Sequence, residues 1–202
     1  MKSEWELHMK RRTLDLIMTA VGALLTVALL VAGSLALWGA TFTNSSEHNQ
    51  LAQQGIYFPP KSAFEHPMVG SEITPSMIPS VSQYAGQQLL TGAQAEVYAN
   101  DFIAVHLKEI GGGKTYAQLS AESQADPSNT ALHDQVETLF RGTTLRGLLL
   151  EAYAFSIFGT IGMISAIACF VLAFLMAILT VLGFVHYRRT PDEVEFPKPH
   201  SA

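Results

Sequence analysis

A chain of 202 residues is long enough for one ordinary domain, but 49% hydrophobic residues against 14% charged sets it with membrane proteins rather than average globular ones. The formal net charge is -5, and between Thr41 and Arg146 five cations are spread among ten carboxylates, which excludes the dense basic face that a nucleic-acid partner requires. The only cysteine is Cys169, so no disulfide holds the chain together internally.

Taken in order, Met1 to Arg12 mixes charges with Trp5, Leu7 and Met9 and reads either as a short interfacial turn or as a disordered tail. Residues 1–13 form an expected cytoplasmic N-terminal segment. Residues 14–38 follow as a first transmembrane helix, because Leu14 to Trp38 is nearly all apolar. At about 25 residues this run is longer than the 7 to 15 of a signal peptide, and Trp38 disrupts the small-x-small pattern of a cleavage site, so an uncleaved anchor is expected.

Residues 39–147 are expected to form a helical, partly irregular extracytoplasmic domain. Glu47 to Gln54 extends the first helix, and Gly55-Ile56-Tyr57-Phe58-Pro59-Pro60-Lys61 must be extended because proline restricts its own φ and the residue before it. Val81 to Leu90, Ala93 to Ile110 and Lys114 to Gln124 read as helices. Gly111-Gly112-Gly113 ends the second, and Asp126-Pro127 stops the third. Thr130 to Phe140 is a further helix with Asn129 as its cap, and Gly142 and Gly147 are either hinges or points that the helix crosses.

After Glu151 come about 36 positions without Asp, Glu, Lys or Arg. A long helix over 148–187 is expected, its crossing portion at about 159–185, with Tyr153, Phe155 and Phe158 as an interfacial belt. Residues 188–202 are expected as a disordered cytoplasmic tail. Cations precede the first apolar run (Lys2, Lys10, Arg11, Arg12) and follow the second (Arg188, Arg189, Lys198), which predicts a multi-pass protein of the cell membrane with both termini cytoplasmic. The fold class is thus an all-α membrane protein.

Small residues recur at helical spacing in both runs: Ala28, Ala32 and Ala36 in the first, and Ser165, Cys169, Ala173 and Ala177 in the second, preceded by Gly159 and Gly162. These are the candidate helix-packing positions, within one chain or between copies, since small side chains let backbones approach closely in lipid. Ordinary alanine abundance explains the same pattern equally well. Tyr57, Phe58, Pro59 and Pro60 are candidate partner-binding residues, although most of the aromatics in this region read as core.

Chemistry-bearing patterns are thin. Gly113-Lys114-Thr115 resembles the end of a phosphate loop, but the glycine required five positions earlier is Lys108, so it reads as a helix stop followed by a helix start. His48, His66, His106 and His133 show no zinc spacing, and no nucleophile elbow occurs. Catalytic, cofactor and metal residues are accordingly expected to be none.

Gly55-Ile56-Tyr57-Phe58-Pro59-Pro60-Lys61, Gln83-Tyr84-Ala85-Gly86, Tyr98-Ala99-Asn100, Gly113-Lys114-Thr115-Tyr116 and Leu145-Arg146-Gly147-Leu148-Leu149 together resemble a group of actinobacterial two-span membrane proteins of unsettled function. Members often carry the label of an aromatic-ring-opening dioxygenase, which implies non-haem iron held by two histidines and a carboxylate. No such triad stands out among these residues. The expected function is a non-enzymatic integral membrane protein, self-associating or an accessory subunit of a larger envelope or respiratory complex. Its expected partners are the lipid bilayer and other membrane subunits or copies of itself. The alternatives are an extracytoplasmic ligand sensor using the Tyr57 to Lys61 region and, behind it, the iron-dependent dioxygenase.

Overall fold

The computed structural model describes residues 11–65, 67 and 73–189, and it divides the chain into two compact units, Met1–Gly39 with Gly162–Ala202 and Ala40–Ile161. The expectations for Met1 to Lys10, His66 and the tail beyond Arg189 lie outside the described residues. Those residues are helical with no strand: α1 Arg11–Gln54, α2 Lys61–Glu65, α3 Ile78–Val81, α4 Gly92–Val97, α5 Ala104–Ile110, α6 Tyr116–Ala125 and α7 Thr130–Arg189.

In the first unit α1 and α7 pack antiparallel. A β-carbon placed on Gly22 would stand 2.6 Å from Thr180 Oγ1, one on Gly33 would stand 3.1 Å from Cys169 Cβ, and one on Gly183 would stand 3.1 Å from Thr19 Oγ1. Such closeness leaves little room for a side chain at these positions, and the larger side chains face outward. Leu24, Leu35, Phe174 and Leu179 are each at least 60% exposed. Both helices are long and apolar enough to cross a bilayer, and only 11% and 6% of their most apolar stretches are buried, unlike the core helix of a soluble protein. Three hydroxyls in the apolar part of α1 are satisfied locally, with Thr19, Thr26 and Ser34 donating to the carbonyls of Asp15, Gly22 and Leu30. Toward the end holding the helix terminus of α7, Arg12 lies 5.1 Å from the Tyr187 ring centroid and Asp15 lies 3.7 Å from His186 Nε2.

The second unit has its own core of Leu51, Phe58, Phe64, Met77, Val81, Leu89, Ala95, Ala99, Phe102, Ile103 and Leu149. α1 ends at Gly55, whose φ of 63° is the left-handed conformation that closes a helix, and Gln88 Nε2 donates to the Ala52 carbonyl there. The chain then runs extended beside 86–89. Phe58 N–H donates to Gln87 O, Leu89 N–H to Ile56 O and Gly86 N–H to Pro59 O, each at 2.9 Å. This pairing overturns the helix expected over Val81 to Leu90. Only α3 and a 3₁₀ turn at Ser82–Tyr84 form, because Gly86 at φ 71° turns the chain and the following amides and carbonyls serve the Ile56–Pro59 segment instead.

The helix expected over Ala93 to Ile110 forms as α4, a π-helical turn at Tyr98–Ile103, and α5. The rings of Tyr98, Phe102 and His106 follow one another along it, the first pair tilted with centroids 4.7 Å apart and the second edge-to-face at 4.5 Å. Thr91 and Gln94 build a capping box for α4, and Thr115 and Gln118 build one for α6. Asn129 Oδ1 accepts from Leu132 N–H as α7 begins, and neither Gly142 nor Gly147 interrupts that helix.

Candidate functional site

Among the described residues, the helix-packing candidates fall into two sets. Ala36, Gly162, Cys169 and Ala177 are half-buried and Ala173 is buried, while Ala28, Ala32 and Ser165 are exposed. Gly159 belongs to the second unit, where it is buried against the Asn44 side chain. The least exposed track of α1 runs Asp15, Gly22, Leu29, Ala36 and, offset from it, Thr19, Thr26, Gly33, with the two glycines buried and the rest half-buried, which is a seven-residue repeat rather than a four-residue one. Gly22, Gly33 and Ala166, which line the close approach, stand outside the four-residue alanine pattern; a seven-residue spacing picks out the two glycines' faces directly.

Of the four partner-binding candidates, Tyr57 is 59% exposed, Pro60 is exposed, Pro59 is half-buried, and Phe58 is only 2% exposed. Phe58 is therefore a core residue and not a contact surface. Its ring lies 5.2 Å from both the Tyr84 and Tyr98 rings, which fixes the extended segment to the π-helical turn.

A cleft of about 390 Å³ opens within the second unit, between the Phe42–Gln54 part of α1 and the Leu145–Phe155 part of α7. Leu51, Ile56, Leu148, Leu149 and Ala152 give it apolar walls. Glu47 and Glu151 are its carboxylates, and no Lys, Arg or His lines it. Gly92 positions Glu47: its N–H donates to the carboxylate, and its missing side chain lets the start of α4 approach Ser156, which a β-carbon would overlap. Burial pushes the Glu47 carboxyl above its ordinary value of 4.5, with the Gly92 amide and the His48 charge opposing that shift. In the sequence Glu47 reads only as part of a helical extension. The signal that marks it is register, since Glu47 lies on the same seven-residue track as Gly33 and Ala40.

A second concavity, of about 490 Å³, is lined by Lys108, Lys114, Thr115 and Arg146. Two of its cations are engaged: Lys114 Nζ donates to both Glu122 oxygens at 2.7 and 2.8 Å, and Arg146 Nη2 donates to Asn100 Oδ1 at 2.8 Å. With Thr115 capping α6, Gly113-Lys114-Thr115 is a helix stop followed by a helix start.

No group of three or more His, Cys, Asp or Glu that could hold a metal ion forms among the described residues. His133 Nδ1 faces Ser123 Oγ at 2.9 Å and His106 Nδ1 faces the Phe102 carbonyl at 2.9 Å, so these two rings serve local contacts. The donor set implied by the dioxygenase label therefore does not fit these residues. Comparison with protein-family models, with curated proteins and with solved structures finds no match. The resemblance to two-span actinobacterial proteins rests on the motifs quoted for it alone.

Proposed function

We propose that this chain is a non-enzymatic, two-span protein of the cell membrane that self-associates or serves as an accessory subunit of a larger membrane complex. The observation behind this reading is the outward placement of Ala28, Ala32 and Ser165. The pairing of α1 with α7 leaves these small side chains exposed, available for the close approach of another helix in lipid. Extraction in mild detergent followed by native mass analysis should give an oligomer or a co-purifying complex. Joint replacement Ala28→Leu and Ala32→Leu should shift that mass to the single chain, and a lone monomer from the unaltered protein overturns the reading.

The flanking cations support an orientation with both termini in the cytoplasm. A reporter fused after Ser201 that works only outside the cell should stay silent, and its activity would reverse the topology. A second reading, an extracytoplasmic ligand sensor, is favoured by the cleft at Glu47: its walls are the same α1 and α7 that supply the spans, so an occupant that changes the spacing of these helices acts on both. The iron-dependent reading is tested by metal analysis of the purified chain, where stoichiometric iron would revive it.

A further inference from the structure

We infer that the cleft between Glu47 and Glu151 takes an organic ammonium ion with an apolar aryl or alkyl body, an assignment that rests on the ligand-sensor reading. The cleft volume of about 390 Å³ suits a small molecule rather than a peptide. Its charge is of one sign: two carboxylates line it, and none of the lining residues is Lys, Arg or His. An anionic ligand is repelled. A neutral apolar ligand completes the drying of the cleft and leaves Glu47 with only the neighbouring His48 and the Gly92 amide to offset its charge, which is costly for a carboxylate already half-buried. An ammonium group supplies that counter-charge while its apolar body covers Leu148, Ala152 and Ile56.

Two aromatic rings reinforce the same selectivity. Phe42 on α1 and Phe155 on α7 both line the cleft and are 62% and 53% exposed, so ring surface is accessible to a cation. Gly92 adds to this: by donating to Glu47 it fixes the direction of the carboxylate without neutralising it. The raised proton affinity that burial gives Glu47 is consistent with a carboxylate that gains from an incoming positive charge.

The full chain, purified in dodecyl maltoside, is titrated with phenethylammonium and separately with the neutral phenethyl alcohol, and binding is followed by saturation-transfer NMR. The ammonium probe should bind about tenfold more tightly than the alcohol. Glu47→Gln should equalise the two probes while leaving the alcohol's affinity and the helical circular dichroism unchanged. Should that variant fail to fold, Glu151→Gln at the exposed side of the cleft should reduce the preference. Equal binding of both probes to the unaltered chain, or a preference that survives loss of both carboxylates, overturns the cation assignment and leaves a ligand site of another class. Binding of neither probe overturns the assignment together with the sensor reading.

Discussion

Glu47 ionises against its surroundings, and this has a direction in pH. Its folded-state pKa lies above the unfolded value near 4.5, so the folded chain holds this proton more firmly. The stabilising contribution is fully present below the unfolded value and is lost as pH rises through the folded one. Glu47→Gln keeps an acceptor for the Gly92 amide and removes the charge. It should raise the thermal midpoint at neutral pH, and the gain should vanish in scans run below pH 4.5. Glycines divide by what surrounds them. Gly147 has nothing within 4 Å of an added β-carbon, so Gly147→Ala should stabilise α7 by about 1 kcal/mol, the ordinary helix-interior difference. Gly92→Ala meets the Ser156 side chain and should cost about 1 to 3 kcal/mol, as overpacking does. Phe58→Ala should cost about 3 to 5 kcal/mol in a denaturation series, because its ring is nearly inaccessible among Tyr84 and Tyr98.

Helix ends in the second unit are set by side chains that the sequence displays openly. Thr91 and Gln94 form a reciprocal cap on α4, and Thr91→Ala should lower stability by about 1 kcal/mol, read from the same unfolding curves. The helices α1 and α7 are legible in the sequence because no proline interrupts them and their apolar runs exceed a bilayer's demand. The face by which they pair is not. A four-residue step advances about 40° beyond a full turn, so Ala28 and Ala32 rotate away from a seam that Ala36 and Ala40 meet. A seven-residue step falls only about 20° short of two turns, which keeps Gly22 and Leu29 on the buried side. The Val81 to Leu90 region misleads for a different reason: its helix-compatible composition is overridden by long-range backbone pairing with Ile56 to Pro59, which no local window contains. The cleft is equally hidden, since Glu47 and Glu151 are joined by packing and not by spacing.

For the molecule as a whole, the lipid reading of α1 and α7 makes a simple demand. Membranes containing the chain should retain it through an alkaline carbonate wash and release it only to detergent; recovery in the wash would mean that the exposed apolar faces are covered by protein instead. The same pair of helices holds the chain's only thiol where they approach closely, Cys169 beside Gly33. A β-carbon added at Gly33 would stand 3.1 Å from Cys169 Cβ, against the roughly 3.8 Å usual across a disulfide, so a small outward adjustment brings the pair into bonding range. The protein thus already carries half of a covalent staple. Gly33→Cys, treated with a mild copper oxidant, should bolt the two helices together within one chain, giving a cross-link that shifts gel mobility and yields to reductant. With that bolt closed or open, any motion of one helix past the other could be stopped and restarted at will.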